Sequence, residues 1–393
     1  MNFVEHDRGM LLPKAFYLFY YAALASLAPF LVIYYDSLGL KGSKIGILVA
    51  IPPLVMLVSA PFWGGLADAT RQHKKILLLC IILTLLSVLG LMFTTVFLLL
   101  IPVVAAYAFF NSPIMPIVDN SVIDLLGERR SQYGRQRVWG TIGWGVVATL
   151  IGWLTEKYGL RWFFYGYLLL MSVTLLLAWF MPVSRGSLGK RFWSGFRSLV
   201  VNRQWALFLV LACLGGMIAS MLNSFLLLYL NDLHASKTLI GLSLTIATLS
   251  EMPVLFFSDH LLVRWSARSL LVAALLVYSV RALTYSFLVV PWLILLVQLL
   301  HGPTYGLFWA AGITYASEIA PPGFGATAQG VFSAVYMGLG GTLGALSGGW
   351  LYDGLGPQRM FLWSGLGLLA GTLAFFLAER LLPAPPEIVL EED

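Results

Sequence analysis

Residues 152–159 read GWLTEKYG, and residues 349–356 read GWLYDGLG. Each is Gly-Trp-Leu, one free position, an acid, two further positions and a Gly. They stand about half the length of the 393-residue chain apart. Two further pairs keep nearly the same offset. FLVIYYDSLG at 30–39 matches FLLLYLNDLH at 225–234, and Ile45-Gly46 recurs as Ile240-Gly241. A near-constant offset along half a chain marks a duplicated unit. The Trp of each copy suits the aromatic belt of a membrane surface. The last Gly of each suits a helix end.

Composition says what solvent the unit sees. The chain is 59% hydrophobic and 11% charged, with mean hydropathy +0.86. Soluble domains carry about 25% charged residues. Lipid must therefore surround most of this chain. A pI near 9.2 could suggest nucleic acid, but the basic residues sit in short loops between apolar runs, so no nucleic-acid partner is expected. Cys80 and Cys213 lie inside apolar runs with no metal-ligand spacing to any His. Free thiols, no metal and no cofactor are expected. The first apolar run is too long for a signal peptide and reads as an uncleaved spanning helix.

Twelve apolar runs are long enough to span a bilayer. They fall at 13–36, 44–67, 74–96, 98–126, 136–156, 161–182, 204–231, 238–262, 268–289, 291–317, 325–353 and 358–380. If the N-terminus is cytoplasmic, the outer segments hold Lys41, Lys44, Lys157, Arg161, Lys237 and Arg359. Arg281 lies inside a helix, and every other Lys and Arg falls on the inner side. This bias predicts a multi-pass protein of the cell membrane with both termini cytoplasmic. The fold class follows: an all-α membrane protein of twelve transmembrane helices in two parallel six-helix repeats. Residues 1–182 form one bundle, and 204–393 form the other with a short acidic tail. Segment 183–203 mixes basic residues with Phe192, Trp193 and Phe196. It reads either as an amphipathic helix at the headgroups or as a solvated linker. Parallel repeats of this kind are a transporter design, with the site between the halves near the midplane.

GGLADATRQHKK at 64–75 resembles the loop motif of the major facilitator superfamily, Gly-x-Leu-Ala-Asp before a basic cluster. Gly64 and Asp68 match, with Lys74 in the cluster. Arg71 stands where that family usually has Gly. The second-half copy keeps Asp259 and Arg264. In the family such loops latch the inner face, so the resemblance implies a gating role for these six residues. A plain positive-inside loop is the alternative.

Charges inside a bilayer are expensive and tend to be functional. Asp119, Glu251 and Arg281 lie within spans, with His301 on the helix after Arg281. Glu251, Arg281 and His301 come to similar depth on consecutive helices, which predicts pairing. A purely structural ion pair is the other possibility. Arg137, Thr141 and Trp144 share one helix face by their spacing. With Asp119 on the preceding helix, they suit a polyhydroxy ligand whose hydroxyls meet the charges and whose ring lies on the indole. Alternatively Arg137 snorkels to headgroups and Trp144 packs on lipid.

The run from Asn111 through Pro116 and Asp119 to GRQRVWGTIGW at 134–144 resembles the lactose-permease-like branch of that superfamily. SVR at 279–281 and His301 match it too. The resemblance implies sugar binding by Asp119, Arg137 and Trp144, and coupling through the Arg281–His301 region. Thr304 departs from the pattern, standing where the branch has a proton-carrying carboxylate, and Gln298 replaces a Lys. LSEMPVLFFSD at 249–259 and QLLHGPTYGLFWAAGITYASEIAP at 298–321 resemble members of the branch that carry 3-phenylpropionate or nucleosides. The expectation is a monomeric, proton-coupled symporter of a small polar solute. Asn223, His301 and Tyr305 would add contacts from the second half, and Glu251 would carry the proton. An aromatic-carboxylate transporter, a drug–proton antiporter and a non-transporting sensor are the alternatives. The sequence holds no H-x-x-x-H helix, no G-x-S-x-G and no P-loop, so enzyme and ATP-driven pump are not expected.

Overall fold

The computed structural model describes residues 10–183, 203–321 and 324–381. The predicted headgroup helix and the acidic tail lie outside them, apart from their first residues. Twelve helices in the described part are long and apolar enough to cross a membrane. They are α1 (Leu11–Ser37), α2 (Gly42–Thr70), α3 (His73–Phe93), α4 (Phe97–Arg130), α5 (Tyr133–Tyr158), α6 (Trp162–Phe180), α7 (Gln204–Asp232), α8 (Lys237–Phe256), α9 (Ala267–Ser286), α10 (Pro291–Glu318), α11 (Thr327–Leu355) and α12 (Pro357–Leu377). Helices are the natural outcome, because lipid offers backbone groups no hydrogen bonds and a helix satisfies them internally.

Four spans depart from uniform winding or from their apolar pattern. In α4 the regular winding stops at Asn111 and resumes at Ile114, because Pro113 has no N–H to donate. In α10 the turn Gly302–Gly306 is π-helical, and in α11 so is Ala334–Gly340. α8 is shorter than its apolar pattern. Pro253 lies in its last turn, the helix ends at Phe256, and a separate helix Ser258–Arg264 follows. The apolar run to 262 therefore covers two helices.

Each half packs its own bundle, with α1 on α5 and α6 in the first and α7 on α11 and α12 in the second. The halves meet where α5 crosses α8 and where α2 crosses α11. Glycine sets these crossings. A Cβ on Gly152 would come 2.4 Å from the Lys237 carbonyl oxygen, and one on Gly349 2.3 Å from that of Gly42. Gly241 meets the Ala148 carbonyl at 2.3 Å and Gly46 that of Ala345 at 2.5 Å. Small residues let backbones approach where apolar area gives no driving force.

The repeated GWL stretches lie at these crossings, on the face opposite Met10. Their final glycines, Gly159 (φ 104°) and Gly356 (φ 80°), end α5 and α11. Their acids do more than the pattern alone suggested. Asp353 accepts the backbone N–H of Gly42 at 2.6 Å and of Ser43 at 2.8 Å. These are first-turn donors of α2, whose own N-cap residue Lys41 supplies no side-chain bond. Glu156 accepts the Thr238 N–H at 3.0 Å and its hydroxyl, at the start of α8. Each half thus caps the second helix of the other, where the exposed N–H groups favour negative charge. Between the two clasps, Asn231 donates to Asp36 at 2.8 Å. These two are each other's counterparts in the duplication.

A charge-assisted bond of this type is worth about 1 kcal/mol or more. Asp353→Ala should therefore quicken amide exchange at Gly42 and Ser43 by about fivefold. Protection of Thr238 should persist, and hydrogen–deuterium exchange on the purified protein reads both.

Candidate functional site

The first half contributes a charged cluster. The α1 stretch YLFYY at 17–21 places Tyr17 and Tyr21 one turn apart on one face. α4 brings Asp119 two turns past Asn111, and α5 brings Tyr133 and Arg137. Asp119 accepts from the Tyr17 hydroxyl at 2.6 Å and from Arg137 Nη1 at 2.9 Å. Arg137 also donates to the hydroxyls of Tyr133 at 3.0 Å and Tyr21 at 2.7 Å, and its guanidinium lies 5.7 Å from the Tyr21 ring centre. The Arg137 side chain is 45% exposed and that of Asp119 22%. The cluster therefore offers donors and an acceptor to a ligand while each member is held by neighbours. Trp144 lies on the same helix and is half-buried.

The second half contributes a buried network. Arg281 is 1% exposed. It donates to Tyr285 at 2.8 Å, Gln298 at 2.5 Å, Thr304 at 3.1 Å and His301 Nδ1 at 3.1 Å. Arginine has no acceptor, so His301 Nδ1 must accept, and a neutral ring carries its proton on Nε2. That atom faces Glu251 Oε2 at 3.9 Å. The predicted triad is thus assembled with His301 in the middle. Arg281 reaches Glu251 through the imidazole and not by direct pairing. Thr304 and Gln298, the two departures from the branch pattern, both hold the guanidinium.

α10 also stacks three rings. His301 and Tyr305 lie 5.5 Å apart at 20°, and Tyr305 and Trp309 6.4 Å apart at 14°. Positions four apart in an unbroken α-helix drift by about 40° per step. The π turn Gly302–Gly306 corrects that drift and keeps the rings in file. Tyr305 lies within electrostatic range of Glu251 and also of Tyr21 and Arg137 across the cleft. The two clusters therefore face one another. Asn223, an exposed amide on α7, is a polar group that a water-filled cleft accommodates better than lipid.

The loop residues behave differently. Asp68 Oδ1 lies 3.1 Å from Nε2 of the buried His73, a partner that the motif did not single out. Arg71 has φ 53° and ends α2 in the left-handed region. That backbone favours Gly, the residue usual at this position in the resembling loops. Gly64 is buried and Lys74 exposed. In the second copy Asp259 is exposed, and Arg264 lies over the Trp265 ring at 5.5 Å. Among the described residues no group of three or more His, Cys, Asp or Glu could hold a metal.

Tyr17, Tyr21, Tyr133 and Tyr285 were not singled out in the sequence. The one available signal was the tyrosine pair one turn apart on α1, three helices before the Asp it serves.

The profile of the MFS_1 like family matches residues 11–363. The maltose permease of Geobacillus stearothermophilus is 29% identical over 371 residues, 93% of each chain. The probable 3-phenylpropionic acid transporter of Escherichia coli K12 is 26% identical over 387 residues, 94% of this chain and 97% of that one. The crystal structure of the nucleoside transporter NupG superposes with a TM-score of 0.83 at 17% identity, covering 95% and 99%. The chain belongs to the MFS_1 like family of the major facilitator superfamily, whose members are transporters and not enzymes.

The two arginines should differ sharply in what they do for stability. Removing buried Arg281 strands four partners, so Arg281→Met should cost about 3 kcal/mol or more. Arg137→Met, at an exposed pair, should cost about 1 kcal/mol or less. Chemical unfolding of both variants in the same detergent checks the order.

Proposed function

We propose that this chain is a proton-coupled symporter that imports a small polar organic solute of sugar or nucleoside size by alternating access, acting as a monomer in the cell membrane with both termini cytoplasmic. The observation that carries the reading is the Asp119–Arg137 pair, ringed by tyrosine hydroxyls and facing Glu251, His301 and Tyr305 across the cleft. Such a site can bind hydroxyls from one half and sense a proton from the other. Sugar is placed first because the maltose permease aligns over nearly the whole chain. Within one chain both halves of the site are complete, so no second copy is needed.

Coupling would run through Glu251. A carboxyl taken out of water favours its neutral form. The His301 Nε2–H facing it can stabilise the ionised form as a donor. The clasps of Asp353 and Glu156 hold the face opposite Met10 shut in this state. They would release when the Met10 face closes, with the 64–75 loop and its second-half counterpart acting as the latch there.

A second reading, transport of an aromatic carboxylate, is favoured by one observation. The partners of Arg281 among the described residues are neutral groups, so the network holds a cation that an anion could satisfy.

Proteoliposomes given external labelled maltose, uridine or 3-phenylpropionate under an imposed pH gradient, with protein-free liposomes as the baseline, test both readings. The wild type should accumulate maltose or uridine when the inside is alkaline. Accumulation of 3-phenylpropionate alone would overturn the sugar or nucleoside assignment. Glu251→Gln should retain exchange of substrate across the membrane and lose uphill accumulation. If that variant still accumulates substrate on a proton gradient, Glu251 is not the coupling group.

A further inference from the structure

A cavity of about 390 Å³ lies between α1, α2 and α4, and Ser224 of α7 and Met337 of α11 close it from the other half. That volume far exceeds the voids that close packing leaves and falls in the range of small-molecule sites. It is distinct in chemistry from the charged cluster. Ala28, Met56 and the rings of Tyr35 and Tyr107 supply most of its wall. Its polar side chains are few, chiefly Asn111 and two serines. Pro52 and Pro53 add something further. Neither can donate to the carbonyl four residues back, and those carbonyls belong to Leu48 and Val49, which also line the cavity.

The cavity adjoins the charged cluster through a short set of contacts. Asn111, at the break in α4, accepts the Tyr20 hydroxyl at 3.3 Å. Tyr20 packs edge-on against Tyr21, with ring centres 5.5 Å apart at 87°. The Tyr21 hydroxyl accepts a hydrogen bond from Arg137 Nη2. One tyrosine pair therefore separates an apolar chamber from a polyhydroxy-binding cluster. Ala28 is exposed in a helix that is otherwise mostly buried, so its methyl group borders open volume.

We propose that this chamber is a second lobe of the substrate site, and that the substrate is amphiphilic: a polar, hydroxyl-bearing head joined to an uncharged aromatic ring. The head meets Asp119 and Arg137 while the ring enters the lobe between Tyr35, Tyr107 and Met56. This rests on the reading of the Asp119–Arg137 cluster as the head-group site. Because Ser224 and Met337 come from the second half, a ring in the lobe touches both halves. Occupancy would thus be sensed by both.

Equilibrium binding to the full chain in nanodiscs, with two matched pairs of probes, tests the lobe. The pairs are methyl and phenyl α-maltoside, and propionate and 3-phenylpropionate. Burying one ring should make the phenyl member of the maltoside pair bind about tenfold tighter to the wild type. Ala28→Trp, which fills the lobe from an exposed position, should bring that ratio down to about one. Met56→Trp does the same from the facing wall and serves if the first variant folds poorly. Asp119→Asn should weaken both maltosides and keep their ratio. Equal binding within both pairs, or a ratio that survives filling of the lobe, overturns the proposal. Ring-dependent binding of the acid pair alone overturns the hydroxyl-bearing head and with it the proposal, together with the sugar reading. A folded wild type that binds none of the four overturns both.

Discussion

The two halves can close on one another only where backbone meets backbone. At Gly46, Gly152, Gly241 and Gly349 a single added carbon would lie within 2.5 Å of a carbonyl oxygen on the facing helix. Lipid gives apolar helix faces no reason to associate, so contact must come from fit and from hydrogen bonds. Both are concentrated at the same end of the molecule, where the acids of α5 and α11 cap α8 and α2. The polar clusters on α1, α4, α5, α8 and α10 lie between these crossings and the Met10 end.

The polar groups inside the bundle divide the labour. In the first half, Arg137 and Asp119 are partly exposed and held by tyrosine hydroxyls. Under the proposed function they would exchange a tyrosine for a ligand hydroxyl at little cost, since the two bonds are alike. In the second half, Arg281 is fully enclosed by four partners. Its role is to fix His301 in one tautomer and one orientation, so that Nε2 and not Nδ1 faces Glu251. One half leaves its charged pair partly open, and the other holds the His301 ring fixed with Nε2 toward Glu251.

The span number, the duplication and the placing of Asp119 and Arg137 on adjacent helices were legible because each leaves a periodic or charged trace in the sequence. Other features leave none. The tyrosines that complete the first cluster come from α1, and nothing in the stretch 17–21 points to α4 or α5. The end of α8 at Phe256 was hidden, because the apolar pattern continues into the next short helix and only Pro253 hints at the stop. The π turns in α10 and α11 are invisible to a period count that assumes uniform winding. Arg71 could be seen as an exception to a glycine position, but its left-handed backbone needed coordinates. The acids of the repeated stretches looked like scaffold, since capping a helix of the other half is a tertiary event.

A clasp made twice from one ancestral segment is not a spare. Each acid caps a different helix, so neither stands in for the other, and the copies can differ in detail. They have already done so: one carries Glu156 and the other Asp353, one reaches a threonine hydroxyl and the other two backbone amides. At the axis between them the same divergence has turned a matched pair into Asp36 and Asn231. Two identical aspartates there would repel, and two asparagines would give up the charge. An unlike pair therefore joins the halves at that position, and symmetry is broken where the two copies touch themselves.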